Sequence, residues 1–281
     1  MKNIFIAASI LLCAACAKPS APDLLFSGSE NRFSTTEKRA WGGIEAIENS
    51  FVISGGELMA FFDPAATGEM RKRSMASGQT RSVLPGNARF SYVIAEMGEL
   101  HNFVTISGRI HRMRSSDHGE TWSDPIEIQA APMVQWNPGV VKDGNGLWHM
   151  LIEASETGVG PLQGNVGCYY YTSADGDAWI SHGRVIDKCG NPWLAATSRG
   201  LLVIHGDLKP GYWQTTASTF DGSTWETHRD KWLIHSPGVH VCDPHAIEID
   251  GRIILSVSVD QNSITLTEAA DGLESLHQRL R

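Results

Sequence analysis

Residues 115–122 read Ser-Ser-Asp-His-Gly-Glu-Thr-Trp, and this short pattern returns twice further along the chain. Residues 173–179 read Ser-Ala-Asp-Gly-Asp-Ala-Trp, and residues 218–225 read Ser-Thr-Phe-Asp-Gly-Ser-Thr-Trp. In each copy the aspartate is suited to accept backbone N–H groups of a tight turn, and the glycine can supply a positive φ angle. The tryptophan provides a large apolar surface that packs back into the sheet. Each copy therefore predicts a hairpin between two strands of one antiparallel sheet.

Two weaker copies extend the series at both ends. Residues 74–81 keep the serine, glycine and threonine, and residues 268–273 keep only Asp-Gly. The five glycines stand at positions 78, 119, 176, 222 and 272. Gaps of about 40 to 60 residues are typical of the four-stranded blades of a β-propeller.

A second series is out of phase with the first. Asn137-Pro138, Asn191-Pro192 and Asp243-Pro244 each precede a strand-like run, a turn and an apolar strand that ends at an acidic residue. Both series have the same period, so the sequence predicts an all-β fold: a five-bladed β-propeller of four-stranded antiparallel blades. The blades are expected to start near residues 41, 86, 136, 190 and 239. A β-sandwich with recurring turns is the alternative.

Composition and the N-terminus limit the class of protein. The net charge of −8 over 281 residues disfavours nucleic acid as a partner. Residues 1–17 resemble a signal peptide, with an apolar run too short to span a membrane. Cys16 is the predicted lipidation site of a bacterial-type lipoprotein; ordinary cleavage after Ala17 is the alternative. We expect a tether and N-terminal strand at 18–35 and a single propeller domain at 36–281. The protein is then exported, either secreted or as a periplasmic or outer-membrane lipoprotein, and contacts membrane only through the lipid anchor.

Three cysteines fall within the predicted domain: Cys168, Cys189 and Cys242. Export permits a disulfide bond, and an odd number leaves at least one cysteine unpaired. Cys189 and Cys242 both precede predicted inner strands of adjacent blades and could therefore approach each other. Buried free cysteines are the alternative.

The repeated turns resemble the Asp boxes, or bacterial neuraminidase repeats, of the sialidase superfamily. That resemblance implies a propeller fold, and it implies folding roles for Asp117, Asp175 and Asp221 at the blade periphery. Sialidases have six blades, whereas five are counted here, and the chain lacks their Arg-Ile-Pro motif. Recognition of a sialic acid carboxylate needs arginine side chains, for which Arg89, Arg199 and Arg252 are the nearest candidates.

Residues 242–252 resemble the inner strands of five-bladed glycoside hydrolases such as families 43 and 32. The stretch reads Cys-Asp-Pro-His-Ala-Ile-Glu-Ile-Asp-Gly-Arg. The resemblance implies acidic residues on the inner strands, around a central funnel. The positions equivalent to Asp243 in the other two copies of this motif, 137 and 191, carry asparagine instead of aspartate.

Glycoside hydrolysis needs two carboxyl groups, one as acid and one as base or nucleophile. The predicted pair is Asp243 as base and Glu153 as acid, with Asp207 as a charged neighbour that tunes their pKa values. These acids could instead cap strands or bind backbone amides.

The remaining candidate site residues would bind substrate. Trp136 and Trp193 are candidate stacking platforms, although both could instead pack between blades. The other predicted substrate-binding residues share a polar side chain near an inner strand: Asn137, Asn191, His205, His245 and Arg89. No cofactor or metal site is predicted. Histidine with carboxylate suits a divalent ion, but no close histidine spacing supports one.

The sequence therefore predicts an exported, glycan-acting propeller, a sialidase-like or five-bladed glycoside hydrolase with paired carboxylates in its central funnel. Its partner would be a glycan or glycoconjugate. The alternative is a propeller that binds carbohydrate or protein without catalysis, because a fold alone does not determine activity.

Overall fold

A computed structural model describes residues 48–64, 68–84, 86–128, 134–157, 165–229, 233, 240–259, 263–269 and 272–280. The predicted signal peptide, the Cys16 lipidation site and the 18–35 tether lie outside these residues. No helix within the described ranges is long and apolar enough to cross a membrane.

The described chain is almost entirely β-structure. Blade 1 contains β1 (Glu48–Ser54), β2 (Glu57–Asp63), β3 (Met70–Ser74) and β4 (Thr80–Leu84). Blade 2 contains β5 (Arg89–Glu96), β6 (Glu99–Ile106), β7 (Arg109–Ser115) and β8 (Ile126–Glu127). Blade 3 contains β9 (Val134–Lys142), β10 (Trp148–Ser155), β11 (Val166–Ser173) and β12 (Ile180–Asp187). Blade 4 contains β13 (Cys189–Thr197), β14 (Gly200–Lys209), β15 (Tyr212–Phe220) and β16 (Trp225–Thr227).

A fifth sheet follows the four blades and has three described strands, β17 (Val241–Ile249), β18 (Arg252–Val259) and β19 (Ser263–Ala269). Strands neighbour one another in chain order within every sheet and pair antiparallel. The structure is therefore an all-β propeller with four-stranded antiparallel blades, as predicted. The sequence predicted five four-stranded blades. Within the described residues, four sheets have four strands and the fifth has three.

The first strands of the sheets form the inner layer. β1 contacts β5, β5 contacts β9, β9 contacts β13, β13 contacts β17, and β17 contacts β1. Residues at equivalent positions of these strands are therefore brought together although they stand about fifty positions apart in sequence. This ring positions the candidate site.

The core lies between neighbouring sheets. Every residue of β10 is buried, which fits a second strand covered on both faces. Trp148, Met150, Ile152 and Ala154 of this strand join a large apolar cluster with residues of other sheets, including Phe103, Leu202 and Leu255. Burial of this apolar surface is the dominant favourable contribution to folding.

The three repeated turns join the third and fourth strands of blades 2, 3 and 4. Asp117 accepts the backbone N–H groups of Glu120 and Thr121 at 3.0 and 2.9 Å. The carboxylates in the other two turns, Asp175 and Asp221, accept equivalent N–H groups. Each turn is thus closed by its own aspartate, as the sequence indicated.

The turn tryptophans make a contact that the sequence did not predict. Trp122 lies 5.9 Å from the ring of Phe61 in blade 1, and Trp179 lies 6.1 Å from Phe103 in blade 2. Trp225 similarly lies 5.2 Å from Tyr170 in blade 3. Each tryptophan therefore packs against the preceding blade, because its turn reaches across the inter-blade boundary.

Buried cations reinforce two of these boundaries. Lys72 Nζ in β3 donates to the His118 carbonyl oxygen at 2.6 Å and to Glu120 at 2.5 Å. Arg112 in β7 donates in the same way to the Asp175 carbonyl oxygen at 3.2 Å and to Asp177 at 2.7 Å. The repeated turn is therefore a joint between blades as well as a hairpin.

The disulfide bond differs from the pairing considered from sequence. Cys189 is bonded to Cys168, and Cys242 is a buried thiol outside the disulfide that donates to Asp243 Oδ2 at 3.3 Å. The Cα atoms of Cys168 and Cys189 are 5.3 Å apart, within the usual bridging range. The bond joins β11 of blade 3 to the start of blade 4.

The described residues also include a short helix that the sequence did not predict, α1 (Leu273–Leu280). Leu276 and Leu280 are buried in the main apolar cluster. Glu274 accepts hydrogen bonds from the backbone N–H and hydroxyl of Ser198 at 2.6 and 2.8 Å. The helix therefore packs on blade 4.

Candidate active site

Four inner strands share an irregularity at the same place. Phe90, Asn137, Asn191 and Asp243 have positive φ angles of 57, 41, 49 and 51°. Each lies where the pairing between the first and second strands of its sheet is interrupted by a β-bulge. Bulges re-aim side chains and are common beside functional sites. A following proline, which has no N–H group for the ladder, explains the Asn-Pro and Asp-Pro signals.

These bulges meet at a central pocket. The described residues that line it come from the inner strands of all five sheets: Asn49, Phe90, Ser91, Tyr92, Asn137, Pro138, Asn191, Pro192, Asp243, Pro244 and His245. The structure therefore places Asn137, Asn191, Asp243 and His245 around one pocket. Asp243 is the one carboxyl group among these lining residues.

Glu153 lies behind the asparagines. It is 1% exposed in β10, and its Oε2 accepts a hydrogen bond from Asn137 Nδ2 at 2.7 Å. The same oxygen accepts the backbone N–H of Asn191 at 3.0 Å. Asn137 Nδ2 also donates to Asn191 Oδ1, so the two amides and the carboxyl group form one network across blades 3 and 4.

Burial dominates the electrostatics of both acids. Burial raises the pKa of Glu153 to about 7, although the hydrogen bonds from Asn137 and Asn191 act in the opposite direction. Burial also raises the pKa of Asp243, and the nearby charge of Glu153 raises it further. Two carboxyl groups that influence each other in this way lose their protons in two coupled steps.

His245 lines the pocket, but both of its ring nitrogens are engaged. The backbone N–H of Phe51 donates to Nδ1 at 3.3 Å, so Nδ1 carries the lone pair. Nε2 then carries the hydrogen and donates to Ser50 Oγ at 3.2 Å. Burial lowers the pKa of His245 to about 3. This histidine is a neutral link between the fifth sheet and blade 1.

Asp207 and His205 lie in β14, apart from the described pocket lining. Asp207 is fully buried and pairs with Lys209 at 2.5 Å and Arg229 at 3.1 Å. His205 bonds to the Gly206 carbonyl oxygen and Ser218 Oγ, both at 2.9 Å. Burial lowers the pKa of His205 to about 4. Both residues thus have partners in blade 4, and neither is among the described residues that line the pocket.

Three other predicted residues are also outside the described lining. Trp193 is buried in the main cluster, with its ring 6.3 Å from that of His245. Trp136 is half-buried in β9, and Arg89 is exposed at the start of β5. The aromatic residues that do face the pocket are Phe90 and Tyr92.

Asn49 is a pocket residue that the sequence reasoning missed. The Ser256 hydroxyl lies 2.6 Å from its Oδ1, and its Nδ2 is buried without a hydrogen-bond partner in the described part of the chain. Phe90 and Tyr92 were missed as well, because the inner strand of blade 2 has no Asn-Pro or Asp-Pro motif. The blade period could have found Phe90, which stands 47 positions before Asn137.

Within the described ranges, no group of three or more His, Cys, Asp or Glu side chains is arranged to hold a metal ion. The central pocket offers asparagine amides, aromatic faces and a carboxyl group of raised pKa, with a second such carboxyl behind the amides. Amides and carboxylates bind hydroxyl groups through hydrogen bonds. A carboxyl group whose pKa is near neutrality can also transfer protons.

No family model and no curated protein matches the sequence. Solved structures do resemble the fold. An endo-arabinase from Bacteroides thetaiotaomicron VPI-5482 aligns with a TM-score of 0.66 and 10% identity, over 82% of this chain and 96% of its own. A β-1,2-mannobiose phosphorylase from Listeria innocua aligns with a TM-score of 0.63 and 12% identity, over 84% and 92%.

A xylan β-1,4-xylosidase from Bacillus halodurans C-125 aligns with a TM-score of 0.63 and 12% identity, over 82% of this chain and 54% of its own. The structural neighbours therefore include glycoside hydrolase propellers. Likeness at this level of identity shows the fold.

Proposed function

We propose that this protein is a glycoside hydrolase that binds a glycan in the central pocket. Asp243 serves as the base and Glu153 as the proton donor. The observation that carries the proposal is the placement of two carboxyl groups: Asp243 lines the central pocket, and Glu153 lies directly behind Asn137 and Asn191. Burial raises the pKa of both groups. Near neutral pH such a pair retains one proton, which is the state that acid–base hydrolysis of a glycosidic bond requires.

The chemistry of the lining favours an uncharged sugar attacked by water. Recognition of a sialic acid carboxylate or a phosphate calls for arginine or lysine. The described lining has neither, and the ring nitrogens of His245 are already engaged. Hydrolysis of a neutral glycoside therefore fits the pocket better than sialidase activity or phosphorolysis does.

The direct experiment uses a panel of chromogenic glycosides of neutral sugars with the wild-type protein, Asp243→Asn and Glu153→Gln. Hydrolysis by the wild type that each substitution reduces by at least about a hundredfold would support the proposal, in line with typical acid–base contributions. Asp207→Asn is the control, because Asp207 is buried in blade 4 and pairs with Lys209 and Arg229.

One observation favours a second function, glycan binding without hydrolysis. Asn137 and Asn191 occupy the bulge positions equivalent to Asp243, and they cover Glu153. A pocket with one exposed carboxyl group and several amides suits recognition of sugar hydroxyls. Calorimetric binding of neutral oligosaccharides by a wild-type protein that cleaves none of them would favour this function.

We also propose that the three-stranded sheet is a fifth blade and that the protein is exported. Contacts of β17 with both β13 and β1 support the blade count, because they close the ring of inner strands. The Cys168–Cys189 disulfide bond supports export, because structural disulfides persist in oxidising compartments. Mass spectrometry of the mature N-terminus would distinguish a lipidated Cys16 from cleavage after Ala17.

A further inference from the structure

The disulfide bond lies beside the buried carboxyl group. Cys168 in β11 stands directly opposite Glu153 in β10 within the antiparallel ladder. Cys189 opens β13, two positions before Asn191, whose backbone N–H donates to Glu153 Oε2 at 3.0 Å. The bond between Cys168 and Cys189 therefore ties together the two chain segments that hold this carboxylate.

The segment between Cys189 and Asn191 passes close over Glu153. A Cβ atom built on Gly190 would lie 3.0 Å from Glu153 Oε2 and 2.8 Å from the Trp213 ring. Both cysteines are fully buried, with Leu194 and Ile186 in the same apolar cluster. At Gly190 the Trp213 ring and the carboxyl group therefore leave no room for a side chain on β13.

We propose that the Cys168–Cys189 disulfide positions the Glu153 carboxyl group by fixing β13 where the Asn191 N–H reaches Oε2. The two cysteines are positioning residues, since they act on Glu153 through β11 and β13 and do not face the pocket. The inference deepens the proposed function, because it concerns the predicted proton donor of the same site.

The physical reason lies in the size of sulfur and the reach of a hydrogen bond. Two unbonded thiols cannot approach as closely as two bonded sulfur atoms, and two alanines leave the strands without a covalent restraint, so loss of the bond in either way lets β13 shift relative to β11. A hydrogen bond weakens steeply with distance and misalignment. The Asn191 N–H bond to Glu153 is therefore the first contact to weaken when the two strands separate.

The test follows the Asn191 amide in ¹H–¹⁵N NMR spectra as a function of pH. An N–H group that donates to a carboxylate changes its chemical shift when that carboxylate loses its proton. The experiment uses the Asp243→Asn variant as its background, so that Glu153 titrates without the influence of a second carboxyl group. We expect the Asn191 amide to titrate with Glu153, and Glu153→Gln to abolish that titration.

Cys168→Ala/Cys189→Ala in the same background is expected to lose at least half of the amplitude of the Asn191 titration. An unchanged amplitude and midpoint would overturn the proposal. Arg112→Ala is the matched control for general destabilisation, because it removes a buried contact at the boundary of blades 2 and 3. It should leave the Asn191 titration as it is.

A second route needs no substitution of the cysteines. A phosphine reductant gives two electrons to the disulfide and becomes the phosphine oxide, while a water molecule supplies the oxygen of the oxide and the two protons that convert the sulfur atoms to thiols. Reduced, still folded protein should show the same loss of amplitude at Asn191, whereas the same amplitude in oxidised and reduced protein would contradict the proposal. These readouts need no glycan, so failure of the proposed hydrolase function and failure of this inference are distinguishable.

Discussion

The side-chain amide of Asn137 donates a 2.7 Å hydrogen bond to Glu153 Oε2, and so joins a residue of the pocket wall to a fully buried carboxyl group. Asn137 occupies a β-bulge in β9, and Glu153 follows the same irregularity in β10. The bulge therefore does two things. It turns Asn137 towards the axis, and it places the amide where it stabilises the ionised form of Glu153.

Replacement of Asn137 by glycine tests this relationship, because glycine keeps the positive φ angle while removing the amide. The hydrogen bond lowers the pKa of Glu153 against the effect of burial, so its loss raises that pKa. We expect the basic limb of the kcat/KM profile to move up by about one pH unit, the scale of one charge-assisted hydrogen bond. Asn145→Gly, in an exposed hairpin of the same blade, should leave the profile in place.

Asp207 is a predicted site residue that is not among the described residues lining the pocket, so its role can be tested separately. Its substitution by asparagine leaves Lys209 and Arg229 beside an uncharged buried group. We expect the free energy of unfolding to fall by roughly 3 kcal/mol, as for other broken buried ion pairs, with kcat/KM of the folded protein unchanged. Urea titration and assays well below the melting temperature check both parts. Loss of activity with unchanged stability would return Asp207 to the active site.

The joint between blades 2 and 3 can be tested with two arginines that share one partner. Arg112 and Arg114 both bond to Asp177, but the Arg112 side chain is 4% exposed and the Arg114 side chain is 43% exposed. Arg112→Ala should lower the free energy of unfolding by roughly 3 kcal/mol, and Arg114→Ala by less than about 1 kcal/mol. Equal effects of the two substitutions would show that the buried cation is not what stabilises this joint.

The buried histidines predict how stability depends on pH. Burial lowers the pKa of His245 to about 3 and of His205 to about 4, so the unfolded chain binds more protons than the folded protein between about pH 4 and 6.5. These groups make stability rise with pH across that window. Urea unfolding at several pH values should show this rise, and His205→Gln should reduce its slope.

Glu153 has the opposite effect on the pH dependence of stability from that of the two histidines. Because its pKa is about 7 in the folded protein, the folded protein holds a proton that the unfolded chain releases above about pH 4.5. Its contribution therefore falls as the pH rises from about 4.5 to 7, by up to roughly 3 kcal/mol. Glu153→Gln should make the rise of stability over that window steeper than in the wild type. A slope identical to the wild type would mean that Glu153 ionises normally.

Much of the fold follows from local signals in the sequence. The aspartate turns predicted hairpins, because the carboxylate and its backbone partners lie within a few residues of each other; that these hairpins join the third and fourth strands came from the structure. Asn137, Asn191 and Asp243 were recognised through the prolines that follow them. The packing of Trp122, Trp179 and Trp225 on the preceding blade was not predicted, because it depends on how the blades are arranged around the axis.

The rest of the site depends on register and on contacts between blades. Cys168 could not be paired with Cys189 from their spacing in the sequence. Their proximity depends on how β11 of blade 3 lies against the start of β13 in blade 4. Asn49 and Phe90 reach the pocket from inner strands that contain no proline. The neutral state of His245 follows from Ser50 and Phe51, nearly two hundred residues away in sequence.

The central claim is that Asp243 and Glu153 form a working acid–base pair in the propeller pocket. The most direct measurement is the pH dependence of kcat/KM for a neutral glycoside, with the wild type, Asp243→Asn and Glu153→Gln. The account predicts wild-type activity that declines above about pH 7, where the pair loses its last proton, and activity at least about a hundredfold lower in each variant. Wild-type hydrolysis that is unchanged from pH 6 to 8, or retained in Asp243→Asn, would contradict it.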